Sequence, residues 1–168
     1  MSRIILGVTV LGLFGGMLQH DQASAQTRAA GSIALRAGSR DLVISPAELA
    51  KLPRHEQRLD TEGASGATVS GVLLWDLVQL LGVPSPKASG RQRAVMYIKL
   101  TGADGQSAVL ALVDVDPSFS KRFVLVADRR NGQPLDAAEG PWRVFIPDDL
   151  RHARWIRGLA AIEIVAIK

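Results

Sequence analysis

A chain of 168 residues with no cysteine can form no disulfide, no thiol nucleophile and no thiolate metal site. Its hydrophobic fraction is 47% and its formal charge +4, and its length suits one domain whose core needs no staple.

The N-terminus reads as an address. Met1-Ser2-Arg3 is a short basic start, and Ile4–Leu18 is a run of 15 residues without charge. Ala23-Ser24-Ala25 then offers the small residues that a signal peptidase accepts. Cleavage after Ala25 is expected, since the apolar run falls short of the roughly 20 residues that span a bilayer. The expectation is a signal peptide over 1–25, export to a bacterial periplasm, and one domain over 26–168 with no transmembrane segment in the mature chain. Arg3 and Asp21 cancel, so the mature chain keeps the charge of +4. In an exported protein that balance points to small anions or an anionic surface, not to nucleic acid.

In the mature chain, Ser32–Ala37 places Ile33, Leu35 and Ala37 on one face of a strand. Asp41–Ile44 is expected to pair with it through a Gly38–Arg40 turn. Ser45-Pro46-Ala47-Glu48 is a capping box with proline at the first helical position, a helix start that must end before Pro53. His55–Thr61 reads as a strand, followed by a Gly/Ser-rich loop through Ser70. Leu74, Leu77, Val78 and Leu81 then recur at helical spacing and predict a buried stripe capped by Gly82. Pro84 and Pro86 open a connection to Arg93.

Beyond it the period turns to two. Arg93–Leu100 and Ser107–Val113 flank Ala103-Asp104-Gly105, a hairpin signal. Phe123–Asp128 is apolar enough for the interior of a sheet, and Asn131-Gly132 marks a second tight turn. Trp142–Ile146 is a short strand, and Ala161–Ile167 alternates with Ile162 and Ile164 on one face. Strands outnumber helices without regular alternation, which predicts an α+β class.

Common catalytic signatures are missing. No phosphate-cradling Gly-rich loop occurs. Ser65 lies in Gly-Ala-Ser-Gly, which is not a hydrolase elbow. His55 and His152 are far apart and lack ligand spacing, so no metal site is expected. Asp114 and Asp116 read as turn formers beside Pro117, and Asp104 as a turn residue. Trp75 reads as core; Trp142 and Trp155 read as core or rim packing.

Five segments, in order, carry a family signal. They are ISPAELAKLP (44–53), SGVLLWDLVQLLGV (70–83), LTGADGQSAVLAL (100–112), LVADRRNGQPLDAAEGPWRVFIPDD (125–149) and GPWRVFIPDDLRHARWIRGL (140–159). Together they resemble the molybdopterin-binding domain of the sulfite oxidase family of oxidoreductases. Gln106 departs from the pattern, standing where the family has an aromatic residue.

The resemblance implies a sulfite oxidase-type fold of mixed β-sheets with a few short helices. It implies ligand-binding roles, toward an anion or a pterin phosphate, for Arg143, Arg154 and Arg157. Guanidinium groups suit that task because they make paired, charge-assisted bonds to phosphate. Two departures weigh against the family's chemistry. Glu139 falls where the family has a phosphate-contacting histidine, and a carboxylate repels phosphate. The thiolate that ligates molybdenum would fall near Leu59–Thr61, where this chain has Asp60 and Thr61 but no sulfur.

The arginines also have a structural reading. Arg143 has Asp148, Asp149 and Glu139 within reach as ion-pair partners, and Arg151, Arg154 and Arg157 recur as one solvated face. The expectation is therefore an exported domain of this fold with no catalytic residues, no cofactor and no metal. It would bind a small anionic ligand or a periplasmic protein partner. Two alternatives stay open: a molybdopterin-dependent oxidoreductase without a cysteine ligand, and a structural accessory subunit of a membrane redox or signalling system.

Overall fold

Two sheets share one apolar core, and each sheet grows from a local signal in the sequence. The computed structural model describes residues 30–60, 66–83 and 90–167. The expected signal peptide, Thr61, Ser65, Pro84 and Pro86 lie outside the described residues.

Strands β1 (Ile33–Ala37) and β2 (Arg40–Ile44) form the expected hairpin. The capping box then starts α1 (Pro46–Leu49): the Ser45 hydroxyl accepts from the Glu48 amide, and the Glu48 carboxylate accepts from the Ser45 amide at 2.8 Å. Strand β3 (His55–Leu59) pairs with β4 (Ala67–Leu73). The loop expected through Ser70 thus ends at Gly66, and its second half is strand. The sequence misleads there because Ser70 reads as part of a Gly/Ser-rich loop, whereas it is paired with Glu56 of β3 and Arg129 of the later strand Leu125–Arg130. A Cβ at Gly71 would lie 2.1 Å from the Val126 carbonyl oxygen, so glycine is what lets two strands close at a register shift.

Helix α2 (Leu74–Leu80) follows directly and buries Leu74, Leu77 and Val78, as the stripe predicts. Helix α3 (Gly90–Ala94) replaces the start of the strand expected at Arg93; β5 begins at Met96 and runs to Gly102. Strand β6 (Ser107–Ala111) pairs back on β5 and passes into the short α4 (Leu112–Val115).

Strand β7 (Leu125–Arg130) is the central strand of its sheet. Asn131 and Gly132, both at positive φ, turn it into β8 (Gln133–Pro134). Asn131 also ties the turn to β4, accepting from the Thr68 amide at 2.8 Å and donating its own amide to the Thr68 carbonyl at 2.7 Å. Strand β9 (Arg143–Phe145) pairs with the first half of β7, so β8 and β9 share one side of it. Strand β10 (Leu159–Ala166) lies between β1 and β5, parallel to the first and antiparallel to the second.

The sheet orders are β2-β1-β10-β5-β6 and β3-β4-β7-β8 with β9 beside β7. Ile33, Leu35, Ile98, Leu100 and Ile162 of the first sheet and Val69, Val72, Val126 and Val144 of the second belong to one buried cluster with the α2 stripe. Each such side chain contributes roughly 1.5–3 kcal/mol on burial. Mixed sheets with few short helices make this an α+β fold. Among the described residues, no helix is long and apolar enough to cross a membrane.

Candidate functional site: an arginine cluster on aromatic rings

The site sits where the end of β7, the β8–β9 loop and β9 meet. Strand alternation puts Arg143 and Phe145 on the same face of β9, and both are buried. The Arg143 guanidinium carbon lies 5.1 Å from the Phe145 ring centre and 5.7 Å from that of Trp155. Those rings meet edge-on at 5.0 Å, and His152 stacks on Trp155 at 3.7 Å. Aromatic faces carry partial negative charge, so this floor favours a cation. Trp142 and Trp155 are buried core residues, held by indole hydrogen bonds to the carbonyls of Gly31 and Ile146.

Glu139 is the hub. It takes two bonds from Arg130 Nη2, at 2.9 and 3.0 Å, and one from Arg143 Nη1. Its backbone is set by Asp136, whose carboxylate accepts from the amides of Ala138 and Glu139 at 2.9 Å. Of the three carboxylates the sequence offered to Arg143, the fold selects Glu139. Burial lowers the Arg143 pKa from its ordinary value, and Arg157 and Arg130 add to this, while Glu139 and Asp136 oppose it. Three guanidinium groups thus face two carboxylates, a surplus of one positive charge. Arg157 carries it, being exposed and without an ion-pair partner among the described residues.

A hollow of about 250 Å³ opens beside the hub, lined by Arg130, Pro134, Leu135, Asp136 and Glu139. The Nε atoms of Arg130 and Arg143 are buried and make no hydrogen bond among the described residues. Buried donors without partners are uncommon.

Arg154 stands apart. It forms a paired bond with Asp149, with Nε to Oδ2 at 2.9 Å, and that hydrogen bond raises its pKa. The fold therefore brings Arg143 and Arg157 together, adds Arg130, and commits Arg154 to a carboxylate of its own. Arg151 is exposed, and only His152–Arg154 forms a 3-10 turn, so the three arginines do not share one helical face. Alternation alone would turn Arg130 away from Arg143, whose β7 partner is Ala127; the register shift of β7 at Asp128 brings Arg130 over the Phe145 ring instead.

The resemblance implies a molybdopterin group, and the donors here do not fit it. Asp60 offers oxygen, is 78% exposed and pairs with Arg58 at 3.5 Å. Among the described residues no three His, Asp or Glu side chains converge as metal ligands. Glu139 sets a carboxylate against the guanidinium that would meet a phosphate.

No protein-family model matches this chain, and no curated protein matches it. Among solved structures, the sulfane dehydrogenase SoxCD from Paracoccus pantotrophus is similar in fold, with a TM-score of 0.59 at 17% identity. The fold is distantly sulfite oxidase-like. The match covers 82% of this chain and 39% of that one, so the chain spans about two-fifths of the length of that protein.

Proposed function

We propose that this is an exported, periplasmic domain that binds a small anion at Arg130, Arg143 and Arg157 and performs no molybdenum chemistry. The observation that carries the reading is the unbalanced charge, three guanidinium groups against two carboxylates over an aromatic floor. An incoming anion would take its bonds from Arg157 and from the outer edges of Arg130 and Arg143, where charge-assisted bonds contribute about 1.5–3 kcal/mol each. Export rests on Arg3, the uncharged run Ile4–Leu18 and Ala23-Ser24-Ala25.

Thermal unfolding with phosphate and with pterin phosphates tests the reading. A ligand held at 100 times its dissociation constant should add about 2.7 kcal/mol of stability. Arg143→Ala should abolish that gain, and Arg154→Ala should leave it intact. Failure of every anion to stabilise the protein would sink the proposal. Molybdenum in stoichiometric amount in protein purified from its native host would sink the second half of it.

A further inference from the structure

The other end of β7 holds a second hollow; by strand rise Val124 in its wall lies about 20 Å from Arg130 and about 10 Å from Ala127, the partner of Arg143. Its volume is about 190 Å³, and Leu73, Trp75, Val115, Pro117, Phe123 and Val124 wall it. Its lining shares no residue with the hollow at Glu139. Trp75, read from the sequence as core, is only half-buried and forms a wall instead.

The walls are held in place before any ligand arrives. Arg93, buried, lies over the Trp75 ring at 5.5 Å and is ion-paired to buried Asp116. Asp116 in turn shapes the loop, accepting from the Ser118 amide at 2.9 Å and its hydroxyl at 2.7 Å. The Ser120 hydroxyl accepts from the Arg122 amide at 3.0 Å. Phe123 is braced edge-on against His55. A preorganised wall lowers the ordering cost of binding.

Size and charge then specify the occupant. An apolar cavity of about 150 Å³ takes one benzene, so this one takes a six-membered ring with one small substituent of about carboxylate size. Two cations also line it. Arg122 is neutralised by Asp114 at 3.2 Å, whereas Lys121 is exposed and has no ion-pair partner among the described residues. One uncompensated positive charge selects a monoanion. We infer that this hollow binds a small aryl monocarboxylate, its ring between Trp75 and Phe123 and its carboxylate toward Lys121. The site is independent of the arginine cluster.

Benzoate is the probe, and the three indole N–H signals in a proton–nitrogen NMR spectrum are the readout. The Trp75 signal should move saturably while those of buried Trp142 and Trp155 stay still. Benzyl alcohol, which has the ring without the charge, should bind about fivefold more weakly. Lys121→Glu should weaken benzoate by at least about that factor while leaving the Trp142 and Trp155 signals in place, which shows an intact fold. Arg143→Ala should leave benzoate binding unchanged. A Trp75 signal that does not move, or equal benzoate affinity in Lys121→Glu, overturns the inference. Loss of binding in Arg143→Ala would assign the effect to the other site and overturn it equally.

Discussion

Two buried arginines, Arg93 and Arg143, lie against aromatic rings and hold a carboxylate, yet their surroundings differ. Arg93 and Asp116 are each 1% exposed, an ion pair sealed in the wall beside Trp75. Arg143 meets Glu139 at a half-open edge, where Glu139 is shared with Arg130 and Arg157 adds a further cation. A sealed pair has nothing to offer a ligand. An unbalanced, half-open one retains a field that an anion can answer. In the proposed reading, access and surplus charge, more than burial, set Arg143 apart from Arg93.

The comparison is sharpest at the sealed pair. Asp116→Asn leaves Arg93 charged and buried, and urea unfolding should show a loss of about 3–5 kcal/mol. The double change Arg93→Met with Asp116→Leu should recover most of it, because replacing both partners removes the buried charge. Phosphate should protect Asp116→Asn as well as it protects the parent.

Glu139→Gln should behave differently. It removes the shared acceptor of two arginines and should cost about 1–3 kcal/mol in the same unfolding measurement. Isothermal titration should nevertheless show tighter phosphate binding, because the internal carboxylate no longer competes. A loss of stability with no gain in phosphate affinity would put Glu139 in the same class as Asp116. Arg157→Ala is the milder change. Stability should stay within about 0.5 kcal/mol, while phosphate affinity falls about fivefold and loses part of its salt dependence.

The smallest effect concerns Asp76, whose Oδ2 is buried without a hydrogen-bond partner among the described residues. Desolvation raises its pKa above the ordinary value, against the opposing pull of His55. The folded state therefore holds this proton more tightly than the unfolded state. The associated stability is present below the unfolded-state pKa and is lost as pH rises through the folded one. Asp76→Asn should flatten that part of a plot of stability against pH, and an unchanged slope would count against the assignment.

Much of the fold follows from local signals. The Ser45–Glu48 box, the Leu74–Leu77–Val78 stripe, the Asp104-Gly105 and Asn131-Gly132 turns and the alternation of β10 all act within a few residues. Misreadings cluster where a distant neighbour decides. Ser70 reads as the end of a loop until β3 and β7 are laid on either side of it. Arg93 reads as the first residue of a strand, but the buried carboxylate of Asp116 holds it on a helix. Asp116 is indeed a turn former, as read, and also an ion-pair partner 23 positions along the chain.

The arginine cluster divides in the same way. Arg143 and Arg157 stand out in the sequence, yet it does not say that Asp149, five residues back, will take Arg154 rather than Arg143, or that Arg130 will join from another strand. By itself the sequence determined an α+β chain without sulfur chemistry, because periodicity, capping and composition are properties of neighbouring residues. Which guanidinium groups share a carboxylate and which keep a surplus of charge was decided only by tertiary structure. Ion pairing depends on distance in space, and the pairing of β7 with β9 sets that distance.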